Sequence, residues 1–171
     1  MRSLSPNHYE RAFENWLIDN HIPYIRSDEH RRLGPWEGSV KNFDFLLSPQ
    51  SGRRVIVEVK GRTFAGASLA GLSGLECWVT LDDIKGLQVW QRALGPGHEA
   101  VFVFAHRVVQ ADVDLDGHEL LTLGSDRYVF FCIRLDDYLR CMRSRSRKWG
   151  TVTLSAEDFR RCAVGLSSFL S

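Results

Sequence analysis

Apolar positions recur along the chain with two different periods, and the switches between them mark its elements. In "HYERAFENWLIDN", Tyr9, Phe13, Trp16 and Leu17 fall at helical spacing, which predicts an amphipathic first helix entered through Ser5-Pro6-Asn7. His21-Ile22-Pro23-Tyr24-Ile25 ends it and opens a short strand, and "HRRLGPWEGSVK" follows as a polar connection. "NFDFLL" and "RRVIVEVKG" alternate as strands do, on either side of the turn "SPQSG". Residues 63–82 are rich in Gly and Ala and support no assignment; "GRTFAGASLAGLSG" reads as a flexible loop over a site. Helical spacing returns in "LDDIKGLQVWQRAL" through Ile84, Leu87, Trp90, Gln91 and Leu94, despite Gly86, and Gly95-Pro96-Gly97 stops it. "EAVFVFAHRV" and "YVFFCIRL" are apolar strands joined by a polar, hairpin-like region. "DDYLRCMRSR" predicts a helix and "WGTVTL" a short strand. "SAEDFRRCAVGLSSFL" predicts a terminal helix capped by Ser155, with Asp158 at the capping-box position. This order predicts an α/β fold, a mixed β-sheet flanked by helices, in one domain spanning residues 1–171.

Composition narrows the picture. With 171 residues, 44% of them hydrophobic and 25% charged, the chain is globular in character and long enough for one core. The net charge of +1 sets up no global field, so a polyanion has to be met by a local patch. No apolar run reaches the roughly 20 residues of a membrane span. "MRSLSPNHYERAFENW" becomes charged too early for a secretory signal. Cys77, Cys132, Cys141 and Cys162 show no CxxC spacing, so the expectation is a cytoplasmic protein without disulfides or structural zinc. The six histidines form no HxH or HExxH, and no G-x-S-x-G elbow or GxxxxGK[ST] loop occurs.

The unusual chemistry lies in "RRVIVEVKGR". Alternation places Val55, Val57 and Val59 on one face, and Ile56, Glu58 and Lys60 on the other. In "NFDFLL" the same rule groups Phe43, Phe45 and Leu47, leaving Asn42, Asp44 and Leu46 opposite. A hairpin folded about Ser51 pairs residues whose numbers sum to 102, which sets Asp44 across from Glu58; a bulge would slip this register by one. Facing carboxylates repel unless they share a proton or a divalent cation. The alternative is a solvated Glu58–Lys60 ion pair on an exposed strand.

Asp44 followed by Glu58-Val59-Lys60, in adjoining strands after a helix with acidic residues, resembles the PD-(D/E)XK nuclease superfamily. That resemblance implies a restriction-endonuclease-like αβββαβ core over residues 7–106, with extra C-terminal helix, strand and helix. The Pro of the family name is replaced by Phe43. The first helix, with Glu10 and Leu17, is similar to the opening helix of archaeal Holliday-junction resolvases, and "HYERAFE" to a group of bacterial proteins named for that string. By resemblance, Asp44, Glu58, the Val59 carbonyl and Glu10 bind Mg²⁺ or Mn²⁺, and Lys60 positions water or stabilises the phosphate. Glu14, one turn beyond Glu10, is an alternative ligand or an exposed helix carboxylate. Second-helix candidates are Lys85, Gln88 and Gln91.

For DNA contact the sequence offers "RCMRSRSRKWG", with Arg140, Arg143, Arg145, Arg147, Lys148 and Trp149, and Arg31 and Arg32 nearer the front. A solvated helix end is the alternative for the first patch. The function these readings imply is metal-dependent cleavage of DNA, with homodimerisation in keeping with small nucleases of this kind. The competing reading is a catalytically inactive module on the same fold that binds nucleic acid or protein.

Overall fold

The computed structural model describes residues 7–27 and 41–171; Arg31 and Arg32 lie outside them. Helix α1 (His8–Asp19) leads into β1 (Tyr24–Arg26), β2 (Phe45–Leu47) and β3 (Arg54–Phe64). A 3-10 turn at Ala70–Leu72 and β4 (Val79–Thr80) precede α2 (Leu81–Leu94) and β5 (His98–Val108). A hairpin of β6 (Leu121–Leu123) and β7 (Asp126–Arg134) follows, then α3 (Leu135–Cys141) and a second hairpin, β8 (Arg143–Ser146) and β9 (Thr151–Thr153). The chain continues through α4 (Ala156–Cys162), β10 (Val164–Gly165) and α5 (Leu166–Leu170).

The main sheet runs β1-β2-β3-β5-β7-β10, with β6 beside β7, and a smaller sheet runs β4-β9-β8. Among the named strands of the described residues, only β3 and β5 are parallel neighbours, joined by the crossover that contains α2. This is the mixed sheet with flanking helices that the sequence predicts. No helix among the described residues is long and apolar enough to cross a membrane.

Period-two alternation divides the core. Val55, Val57 and Val59 pack with Phe13, Trp16 and Leu17 of α1, while Ile56 joins Ile84 and Leu87 of α2 on the opposite side. Burial of side chains such as Phe13, Leu17 and Leu87 contributes roughly 1.5–3 kcal/mol each and fixes the two helices against β3. Two glycines let backbones come close at this junction. A Cβ added to Gly61 would lie 1.9 Å from Cδ2 of Tyr9, so the Tyr9 ring rests on the strand backbone. Gly86, the apparent defect in α2, makes room for the chain beside it: a Cβ there would lie 3.0 Å from the Lys41 carbonyl oxygen. That oxygen also accepts from Trp90 Nε1 at 3.1 Å. Gly61→Ala is therefore expected to cost about 3 kcal/mol by overpacking, read as a lower urea midpoint, and Tyr9→Ala in the same chain is expected to restore part of it.

Four expectations change. Phe43 does not share a face with Phe45: the ladder stops at Phe45, and Phe43 turns to meet Trp90 edge-on at 5.1 Å. Residues 61–74 are not a flexible loop over a site, because 61–64 belong to β3 and Phe64, Leu69 and Leu72 are buried in the core cluster beside α2. The helix read over 136–145 ends at Cys141, since Arg143–Ser146 pairs with β9 and tertiary pairing outweighs helix propensity. The terminal helix is broken at Ala163, which is extended, and Val164–Gly165 pairs with the outer side of β7. Ser155 caps α4 as expected, its Oγ accepting from the Asp158 N–H at 3.1 Å.

Candidate active site

The site forms where β3 emerges beside the first turn of α2. Phe45 pairs with Val57, Leu46 with Ile56 and Leu47 with Val55, so the register is the one that brings Asp44 toward Glu58. Asp44 is held at every backbone group: its N–H donates to the Val57 carbonyl (2.9 Å) and its carbonyl accepts from Ser27 N–H (3.0 Å). Its carboxylate Oδ2 accepts from the Val59 N–H at 2.7 Å. Burial, and then the neighbouring charge of Glu58, push the Asp44 carboxyl up to about 8. The charge of Glu10 acts in the same direction, which places α1's acidic residue within electrostatic reach.

Glu58 is only 4% exposed. A solvated ion pair on an open strand face is thereby excluded. Its Oε1 meets the ammonium groups of Lys41 (2.9 Å) and Lys60 (3.3 Å). Both lysines also reach Asp83, Lys60 at 2.7 Å and Lys41 through a close contact to Oδ1. Two buried carboxylates and two ammoniums thus form a closed set in which each carboxylate touches both cations. Burial alone would raise the Asp83 carboxyl, but Lys60 and Lys41 hold it down at about 2. Burial works against the Lys41 ammonium, and the charges of Glu58 and Asp83 overcome it and raise its pKa.

Asp83 and Lys41 are the residues sequence reasoning missed. Asp83 carries a legible signal. Thr80-x-x-Asp83 is a capping box, with Thr80 Oγ1 accepting from Asp83 N–H (3.0 Å) and Asp83 Oδ2 from Thr80 N–H (2.9 Å). Lys41 was concealed in the polar connection, and only its seat on Gly86 and Trp90 delivers it to the site.

The other candidates separate. Glu10 pairs with Arg26 at 2.9 Å. Glu14 is engaged by Tyr24 (2.7 Å) and Arg26 (3.2 Å), a structural bond between α1 and β1. Gln91 accepts from Ala100 N–H at 2.6 Å and so anchors the start of β5. Lys85 is exposed on α2, and neither it nor Gln88 joins the cluster. Arg143, Arg145, Arg147, Lys148 and Trp149 are all exposed on the β8–β9 hairpin, Trp149 at 70%. That hairpin is fastened to the site's own scaffold: Thr151 pairs with Thr80, the cap of α2, and Leu81 N–H donates to the Gly150 carbonyl at 2.8 Å. A cavity of about 340 Å³ lined by Trp16, His118, Glu119 and Leu166 shares no residue with the charged site.

Comparison with known proteins decides the architecture. The chain is similar to the Holliday junction resolvase Hjc of Archaeoglobus fulgidus, an archaeal hyperthermophile, at 13% identity and a TM-score of 0.57. The match covers 96% of this chain and 99% of the resolvase. The fold is restriction-endonuclease-like. No protein family matches the sequence, and no curated protein does.

The donor set suits a divalent cation. Among the described residues no three His, Cys, Asp or Glu side chains converge into a ready metal cage. Mg²⁺, however, is ordinarily held by one or two carboxylates, with waters and substrate phosphate completing its shell. Asp44 and Glu58 could supply such a pair, and a cation there would offset the Glu58 charge that, after burial, raises the Asp44 carboxyl.

Proposed function

We propose that the chain is a metal-dependent nuclease that hydrolyses phosphodiester bonds in DNA. The observation that carries this reading is the grouping of half-buried Asp44 and Lys60 around the buried Glu58 on a resolvase-like fold. Asp44 and Glu58 would hold Mg²⁺ or Mn²⁺, with the Val59 carbonyl and Glu10 as further donors. The metal, when bound, polarises a phosphoryl oxygen and lowers the pKa of coordinated water. Lys60, tethered between Glu58 and Asp83, presents a fixed ammonium where negative charge develops on the phosphate or where the attacking water must be oriented. The β8–β9 hairpin offers Arg143, Arg147 and Lys148 to the DNA backbone and Trp149 for stacking, from a position set by the α2 cap.

A second reading, a non-catalytic nuclease-fold module that binds nucleic acid, draws on one feature. The Lys41 and Lys60 ammoniums together already balance the charges of Glu58 and Asp83. The two readings separate on isothermal titration of Mn²⁺ into wild type and Asp44→Ala, followed by cleavage assays on supercoiled plasmid and four-way DNA with Mn²⁺ or EDTA. Saturable binding and nicking, both lost in Asp44→Ala and nicking also lost in EDTA, are expected of the nuclease. DNA binding with no uptake of Mn²⁺ would leave the module.

A further inference from the structure

Beyond Lys60, β3 carries a further charged side chain on the face of Glu58 and Lys60. Arg62 is two residues beyond Lys60, so it continues the same row. Its guanidinium lies 3.8 Å from the centre of the Trp78 ring, and it donates to the carbonyls of Gly61 (2.6 Å) and Trp78. Its Nε is buried without a hydrogen-bond partner, and among the described residues it makes no ion pair. A second guanidinium, that of Arg145 on β8, lies 4.8 Å from the same ring centre. Arg145 is exposed and likewise has no carboxylate within ion-pair distance among the described residues. Other arginines of this chain show the usual solution: Arg26, Arg53 and Arg134 each meet a glutamate.

Two like charges converging on one indole, from different sheets, cost energy unless an anion joins them. Burial disfavours the charge on Arg62, and the acidic groups acting on it, Glu76 and Asp83, do so only at a distance. Guanidinium groups are suited to bidentate grip of a phosphate, and stacking on an indole holds their planes in place. We propose that Arg62 and Arg145, held on Trp78, form a subsite for one backbone phosphate of the nucleic-acid strand, aligning it with Glu58 and Lys60. The subsite rests on the nuclease reading and extends it from the reacting centre to the neighbouring strand.

The test is fluorescence anisotropy of labelled four-way DNA with full-length protein in EDTA, across 50–200 mM salt, for wild type, Arg145→Ala, Arg62→Gln and the double variant. Thermal melts check that each variant is folded, and Arg145→Ala, an exposed position, keeps the test meaningful if Arg62→Gln unfolds. Because both groups grip one phosphate, each single variant is expected to weaken binding several-fold. Each should also lower the slope of log K against log [salt] by about one. The double variant should lower it by no more than the singles. A folded Arg145→Ala with unchanged slope, or a double variant losing about two, overturns the shared subsite while wild-type cleavage still stands. If wild type neither binds nor cuts DNA, the nuclease reading falls and the subsite with it.

Discussion

Asp44→Asn is expected to abolish cleavage, by about 10³-fold or more, and at the same time to make the metal-free protein more stable. The two effects have one cause. Burial and the nearby Glu58 charge raise the Asp44 carboxyl from an ordinary 3.8 to about 8 in the folded chain. Between those values the folded chain retains a proton that the unfolded chain releases, so stability falls as pH rises from about 4 to 8. Asparagine removes the penalty and still offers an oxygen to the Val59 N–H. At pH 7.5 in EDTA the variant is expected to exceed wild type by on the order of 2 kcal/mol in urea unfolding, a gap that closes below pH 4. A variant that is inactive and also less stable at pH 7.5 would show that Asp44 is there to hold the hairpin rather than to meet a cation.

Asp83→Ala is expected to be the most damaging single change to the cluster. It removes the reciprocal cap of α2, worth about 1 kcal/mol, and strips one partner from both Lys41 and Lys60. Leaving two ammoniums on Glu58 alone adds a further cost, for a total of roughly 2–4 kcal/mol in denaturant unfolding. Asp83→Asn separates the contributions: its amide oxygen still accepts from Thr80 N–H, so about 1 kcal/mol should return while cleavage stays low. Full recovery of cleavage in Asp83→Asn would mean that Asp83 serves the helix and has no part in placing Lys60.

The charged row on β3 and the hairpin register were legible because both follow from period-two geometry alone. Counting outward from Ser51 yields the observed Phe45–Val57 pair, and alternation in "VIVEVK" separates the valines from Glu58 and Lys60. The helical limits of α2 were legible for similar reasons, since its apolar period and its Gly-Pro-Gly stop are local. What stayed hidden depends on contacts between distant segments. Lys41 reaches the site only because Gly86 lacks a side chain, and Asp83 acquires its second role only once β3 lies beside α2. Arg62 continues the row of Glu58 and Lys60, but the Trp78 ring it shares with Arg145 comes into view only when β8 is folded beside it. The elements misread, at 143–146 and 164–165, are short strands whose pairing partners lie elsewhere in the chain.

Glu58, Lys60 and Arg62 stand at every second residue of one rigid central strand, and this makes β3 a ruler. Successive marks lie about 7 Å apart, and no intermediate spacing is available, because moving a group by one residue sends it through the sheet to the side of α1. The interval from Glu58 and Lys60 to Arg62 is therefore set by backbone pitch rather than by side-chain choice. Evolution or design can lengthen that interval only in whole steps of two residues, and a single inserted residue in β3 erases the scale altogether.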